Sequence, residues 1–285
     1  MIDKCNTTLG DPNGVLSGGS DCISSKCASK FIPLLDGNRN NSRCFECMIV
    51  HATSYTTFAN SKNACNTDPR HPFNFDGENP SMILSRYPLS NTDVYVLPSW
   101  LYRRSVLYAQ VQLEQGTSVD FYCAQTSSPL LDSLLPYAGD YSNGSDATGY
   151  DVEQLLQVNR TIGYVKATSK GRPAVLAGDW HASDKQASPP LDDLNGASLM
   201  ALRGAFTEAL PSGYKRSCTY CPLAMNPYNG DRSYAFLDAF LLGFPDRATT
   251  DATVFFDQPI VTLSDGTTRG MLSQTFGFNV RVTRP

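Results

Sequence analysis

Apolar positions along the chain fall into short runs, with one long stretch of helical spacing between them. Val106–Gln112 alternates and ends at a turn near Gly116. Val119–Cys123 then resumes the alternation, so the two runs predict a hairpin. Ser81–Ser85 reads as a short strand, stopped by Pro88, which has no N–H for a ladder. Cys44–His51 and Ala174–Ala177 are continuous apolar runs of the buried-strand kind, the second leading into Gly178-Asp179-Trp180-His181. Tyr234–Leu242, Thr253–Phe256 and Phe276–Val282 read as later strands. Within Asp151–Ala167 the residues Val152, Leu155, Leu156, Ile162 and Val165 recur at helical spacing. Ala197–Leu210 is a second helix, and Cys27–Leu35 a short helical candidate. Residues 1–43 are rich in Gly, Ser and Asn, and 52–80 and 126–148 read as loops. There is no internal repeat.

Composition narrows the function classes. The 285 residues are 41% hydrophobic, enough for one sizeable α/β core. Net charge is −4, and the tightest basic cluster is the pair Arg103-Arg104. A polyanion needs a concentrated basic face, so no nucleic-acid partner is expected. No run of 18 apolar residues occurs, so no membrane span is expected. Met1-Ile2-Asp3-Lys4 lacks the apolar core of a signal peptide, so if the chain is secreted its numbering is expected to begin on a processed or partial chain. Nine cysteines and sequons at Asn6, Asn40, Asn143 and Asn159 nevertheless point to an extracellular glycoprotein. Asn6, Asn40 and Asn143 are the glycan candidates. Asn159 lies about 40° from Leu155 around the helix, inside the apolar stripe, and is expected to be unmodified.

Cys5, Cys22, Cys27, Cys44, Cys47 and Cys65 lie in the first quarter, and Cys218 and Cys221 form a C-x-x-C. Two readings stand for these eight. They staple loops as disulfides, or Cys44, Cys47, Cys218 and Cys221 hold zinc. An oxidising compartment favours disulfides. The count is odd, and Cys123, in a strand-like run, is expected to be the free thiol.

Five segments in order carry a resemblance. They are Ser81–Leu89 (SMILSRYPL), Arg104–Val111 (RSVLYAQV), Ala174–His181 (AVLAGDWH), Tyr234–Leu242 (YAFLDAFLL) and Leu272–Val280 (LSQTFGFNV). Together they resemble the endonuclease/exonuclease/phosphatase superfamily, in which deoxyribonucleases, sphingomyelinases and inositol phosphatases share a scaffold. The resemblance implies an α/β (α+β) fold: two packed mixed β-sheets flanked by helices, a four-layer sandwich. It spans an expected domain at 44–285, preceded by a Cys-rich segment at 1–43 that is expected to be exchanged between copies or extended.

The family's chemistry needs a metal-holding Glu, an Asp and Asn in G-D-F-N, and a final His oriented by a carboxylate. Asp179 matches the G-D-F-N aspartate, but His181 replaces the Asn. Asp238 matches the aspartate of I-D-H, but Ala239 replaces the His. Gln274 and Thr275 stand where the final S-D-H has Asp and His, Cys47 where the Glu stands, and Ala124-Gln125 where a Thr-His stands. Neither Gln nor Thr carries a charge near neutral pH. Asp179, His181 and Asp238 are thus residual catalytic positions, with Arg104 a weak phosphate-binding candidate. No metal site and no cofactor are expected, unless a rebuilt site works with Mg or Ca. Two functions follow: a non-catalytic extracellular subunit acting in binding, matrix or self-assembly, or an active secreted metal-dependent phosphodiesterase or nuclease with a site rebuilt on Asp179, His181 and Asp238, in which His181 could serve as base. Trp100, Tyr102 and Trp180 read as packing residues.

Overall fold

The computed structural model describes residues 81–99, 103–113, 116–130, 137, 147–222, 231–244, 248–255, 261–262, 269–270 and 276–283. The chain divides into two compact units. One comprises Asn79–Leu97, Arg104–Pro129 and Asp151–Pro285 and holds every feature developed below. In the other, the Tyr137 and Tyr150 rings meet edge to face at 4.9 Å. The expected boundary at 43/44, the strand at Cys44–His51 and the helix at Cys27–Leu35 lie outside the described residues.

In chain order the elements are β1 (Leu89–Leu97), β2 (Arg104–Gln112), β3 (Ser118–Gln125), α1 (Tyr150–Ser169), β4 (Ala174–Asp179), β5 (Gln186–Ala187) and β6 (Pro190–Leu191). Then come α2 (Gly196–Ala205), β7 (Thr207–Glu208), β8 (Leu237–Leu242), β9 (Ala248–Phe255), β10 (Val261–Thr262), β11 (Arg269–Gly270) and β12 (Gly277–Thr283). Six strands form one mixed sheet in the order β1-β2-β3-β4-β8-β7. The expected hairpin is β2–β3, which pairs Val106 with Ala124 and turns near Gly116 at φ 74°. β4 lies parallel to β3 and antiparallel to β8.

Side chains alternate across a strand, so each strand feeds two layers. Val106, Tyr108, Tyr122, Ala124, Leu176 and Phe240 face one way and pack with Val158 and Val165 of α1, Leu199 and Leu202 of α2, and Trp180. Val175, Ala177, Ala239 and Leu241 face the other way, toward Val280 and Val282 of β12, which pairs with β9. Helices, a mixed sheet and a second strand pair therefore stack in layers, the α/β class that the pattern predicts.

Four expectations need correction. Ser81–Ser85 is not a strand: Met82 and Leu84 are exposed, and pairing starts after Pro88, whose carbonyl accepts from Gln112 N at 3.0 Å. The second helix stops at Ala205 because Phe206 turns extended, releasing Thr207–Glu208 to pair with β8. The run at Tyr234–Leu242 joins the sheet only from Leu237, Tyr234 making an isolated bridge to Tyr220. The fourth concerns α1, whose buried face is polar. Glu153, Gln154, Gln157, Thr161 and Ser169 are buried along with Val158 and Val165, while Val152 is exposed. Counting apolar residues alone therefore rotated the helix, and Asn159 stands on its exposed face, not in a packed stripe.

Candidate functional site

The end of the sheet gathers the surviving chemistry. β3 ends at Gln125 and β4 at Asp179, and the register sets Gln125 beside Asp179 and Asp179 beside Leu237. The chain then leaves β4 through Trp180 and His181. Trp180 is fully buried and donates its indole N–H to the Asp238 carbonyl at 3.3 Å. Its ring presses on Gly178, where an added Cβ would sit 2.8 Å from the indole and 2.7 Å from the Ala124 carbonyl. Only glycine permits that approach. Trp180 is a packing residue, as the sequence implied; Trp100 and Tyr102 lie outside the described residues.

His181 has φ 46°, in the left-handed region. Its backbone is pinned from the helix side. Gln154 Nε2 lies 2.8, 2.9 and 2.9 Å from the carbonyls of Ser127, Trp180 and His181, sharing its two hydrogens among them. Asn195 Nδ2 donates to Gln154 Oε1 at 2.6 Å, Gln157 Oε1 accepts from Ser127 N at 2.7 Å, and Thr126 Oγ1 donates to the Trp180 carbonyl at 2.6 Å. The loops after β3 and β4 are thus fastened to the buried polar face of α1. Buried polar groups demand such partners, which is why the stripe is polar.

His181 Nδ1 lies 2.8 Å from the Thr126 carbonyl, an acceptor only, so Nδ1 carries the proton. Nε2 then presents its lone pair 3.6 Å from Asp179 Oδ2. Burial pushes the imidazole pKa below its ordinary value; Asp179 works in the opposite sense and Arg104 with the burial. Gln125 links the remaining groups, accepting from Arg104 Nη1 at 2.5 Å and donating to Asp179 Oδ2 at 3.4 Å. The other carboxylate oxygen, Asp179 Oδ1, is buried and has no hydrogen-bond partner among the described residues.

Asp238 does not join this group. It pairs with Gly178, one residue from Asp179, and the period of two sends its side chain to the opposite face. There it is buried, accepting from Ala239 N at 2.8 Å and from Arg216 Nη2, which also bonds Glu208. Arg203 ties Glu208 at 3.0 Å and bonds Asp184 as well. Burial, then the Glu208 charge, raise the Asp238 pKa to about 7 against the pull of Arg216. Burial acts to raise Glu208 too, but Arg216, the bond to Asp238 and Arg203 outweigh it and bring that carboxyl below its ordinary value. Of the two carboxyls Asp238 is thus the one that holds a proton more readily. Sequence reasoning placed Gln125 at a family site position but missed Arg216, Glu208 and Gln154; only strand register and the rotated helix face bring those in.

Cys218 and Cys221 form a disulfide with each other, Cα–Cα 5.2 Å, which removes them as zinc ligands. Cys123 is free, as expected. The remaining disulfide candidates, the sequons at Asn6, Asn40 and Asn143, and positions 47, 274 and 275 lie outside the described residues. No group of three or more His, Cys, Asp or Glu is placed to hold a metal among the described residues. A divalent ion of the hard-oxygen kind wants several carboxylates, and among the described residues Asp179 with Gln125 does not fit one. No helix of the described residues is long and apolar enough to cross a membrane.

No protein-family model matches the sequence, and no curated protein matches it. In fold, the chain is similar to solved endonuclease/exonuclease/phosphatase proteins. TDP2 from D. rerio, solved with a single-strand DNA product, is 15% identical, with 68% of each chain covered and a TM-score of 0.47. An endonuclease/exonuclease/phosphatase from Bacteroides vulgatus is 10% identical, covering 70% of this chain and 67% of its own, at 0.43. Beta toxin from Staphylococcus aureus is 15% identical, covering 70% and 66%, at 0.48. Likeness of this degree says nothing about which residues act.

Proposed function

We propose that this chain is a non-catalytic, extracellular binding protein built on a phosphodiesterase-like scaffold. One observation carries the reading. The two surviving acidic positions, Asp179 and Asp238, point to opposite faces of the sheet, and Asp238 is engaged by Arg216. Two-carboxylate chemistry on one substrate cannot be run from opposite sides of a sheet. The Cys218–Cys221 disulfide supports an oxidising compartment. Glycans at Asn6, Asn40 and Asn143 and self-association through the Cys-rich segment 1–43 belong to the same proposal. The test is hydrolysis of bis(p-nitrophenyl) phosphate with Mg²⁺, Mn²⁺ or Ca²⁺. No turnover above blank is expected. Metal-dependent turnover that Asp179→Ala abolishes would overturn it. For self-association, light scattering at micromolar concentration showing a monomer overturns that part alone.

A second reading rests on the His181–Asp179 contact. A neutral imidazole with Nδ1–H fixed and Nε2 open is a competent base. On that reading the chain is a secreted phosphodiesterase with a rebuilt site, and His181→Gln removes the activity.

A further inference from the structure

A cavity of about 610 Å³ lies on the second-sheet side of the mixed sheet. Strand register explains it. Cys123, Ala177 and Ala239 are direct neighbours across β3, β4 and β8, so one row of the sheet carries only small side chains. The row toward the strand starts carries Phe121, Val175 and Leu241, and the row at the ends carries Gln125, Asp179 and Leu237. The hollow over the small row is roofed by Phe278, Val280 and Val282 of β12. Its charged lining is carboxylate only. Asp179 and Asp238 border it, and among the described residues no Lys or Arg does. Asp238 has its side chain on the far face, which leaves the Asp179 carboxylate, 20% exposed, as the charged end of a mostly apolar chamber.

We infer that this cavity binds a small cationic amphiphile, its ammonium on Asp179 and its apolar tail over the Cys123–Ala177–Ala239 row. The inference deepens the binding-protein reading and rests on it. The volume falls within the range of roughly 300–1,000 Å³ that takes small ligands, with few polar groups to fix orientation. An apolar hollow of this kind is filled more favourably by a hydrocarbon than by water. An ammonium head makes charge-assisted hydrogen bonds to the exposed part of the Asp179 carboxylate, whereas a carboxylate head is repelled by it. His181 stays neutral through burial and so leaves the Asp179 charge to the ligand.

The experiment uses the full chain with N-phenyl-1-naphthylamine as fluorescent reporter, displaced by octylamine or by octanoate. Octylamine should displace the reporter at least tenfold better than octanoate. Asp179→Asn should retain the reporter and bring that ratio near one. Ala177→Phe and, as a milder filling, Ala239→Leu should lose reporter binding while keeping the wild-type circular dichroism. Absence of reporter uptake, equal displacement by octanoate, or unchanged binding in a folded Ala239→Leu would each overturn the inference. Phosphodiester turnover is measured on the same preparations. Turnover with amine binding intact defeats the non-catalytic reading alone, and no turnover with no amine binding defeats the inference alone.

Discussion

Removing Arg216 should be far more damaging than neutralising the carboxyl it holds. Arg216 is buried against Glu208 and Asp238, whose side chains are 25% and 1% exposed. In Arg216→Met the methionine fills much of the volume but leaves Asp238 without its cation and Glu208 with Arg203 alone. Breaking a buried pair from one side costs about 3–5 kcal/mol. For a chain of this size that is roughly a 10 °C fall in Tm, at about 2–4 °C per kcal/mol. Asp238→Asn keeps the acceptor for Ala239 N and a donor toward Glu208, and mimics the protonated acid. It loses the bond from Arg216, a cost of about 1–2 kcal/mol. The pH dependence is a second check. Asp238 titrates near 7 when folded and near its ordinary value, about 3.9, when unfolded. Between those values the folded state holds the extra proton, so this contribution to stability is full below about pH 4 and declines as pH rises through 7. The deficit of Asp238→Asn against wild type should therefore shrink between about pH 5 and pH 8. Urea titrations of the three proteins at several pH values read both effects. An Arg216→Met no worse than Asp238→Asn near neutral pH, or an Asn deficit that grows with pH, would refute the reasoning.

Three further outcomes follow from the geometry. Gly178→Ala forces a Cβ to 2.7 Å from the Ala124 carbonyl and should cost about 2–3 kcal/mol, read by chemical denaturation; a neutral effect would mean that the Trp180 contact yields freely. His181 should titrate by NMR below its unfolded value of about 6.5, so its contribution to stability is present above that pH and is lost as pH falls toward the folded midpoint. A raised midpoint would show that Asp179 outweighs burial. Asn159 is exposed within Asn159-Arg160-Thr161, so the chain expressed behind a secretion leader in eukaryotic cells should carry a glycan there. Mass spectrometry showing an unmodified Asn159 would reject this.

The parts of the fold that a local pattern governs were legible. The β2–β3 hairpin, the helix over Asp151–Ala167 and the strand leading to Asp179 each announce themselves through spacing. What stayed hidden depends on partners far away in the chain. The buried face of α1 looks hydrophilic because Gln154 and Gln157 serve the carbonyl of Ser127 and its amide, about thirty residues off, and no helical period reports that. Ser81–Ser85 has a strand's composition but no described strand to pair with. At the site, Asp179 and His181 were found and do lie together. Asp238 was grouped with them by motif order, and one step of strand register moved it across the sheet. The counterpart, Arg216, sits in a loop-like stretch with nothing local to mark it.

The fastening of the two site loops has a consequence for how such a chain changes over time. Gln154, Gln157 and Thr126 hold those loops through backbone atoms, which every amino acid supplies. The side chains that project on the open side are not part of that attachment. A replacement at Gln125 or Ala239 therefore leaves the loop path standing, whereas one at His181 gives up a single tie, its imidazole on the Thr126 carbonyl. A hydrolytic centre on such a frame can be lost one side chain at a time, and another specificity can take its place without the protein passing through an unfolded ancestor.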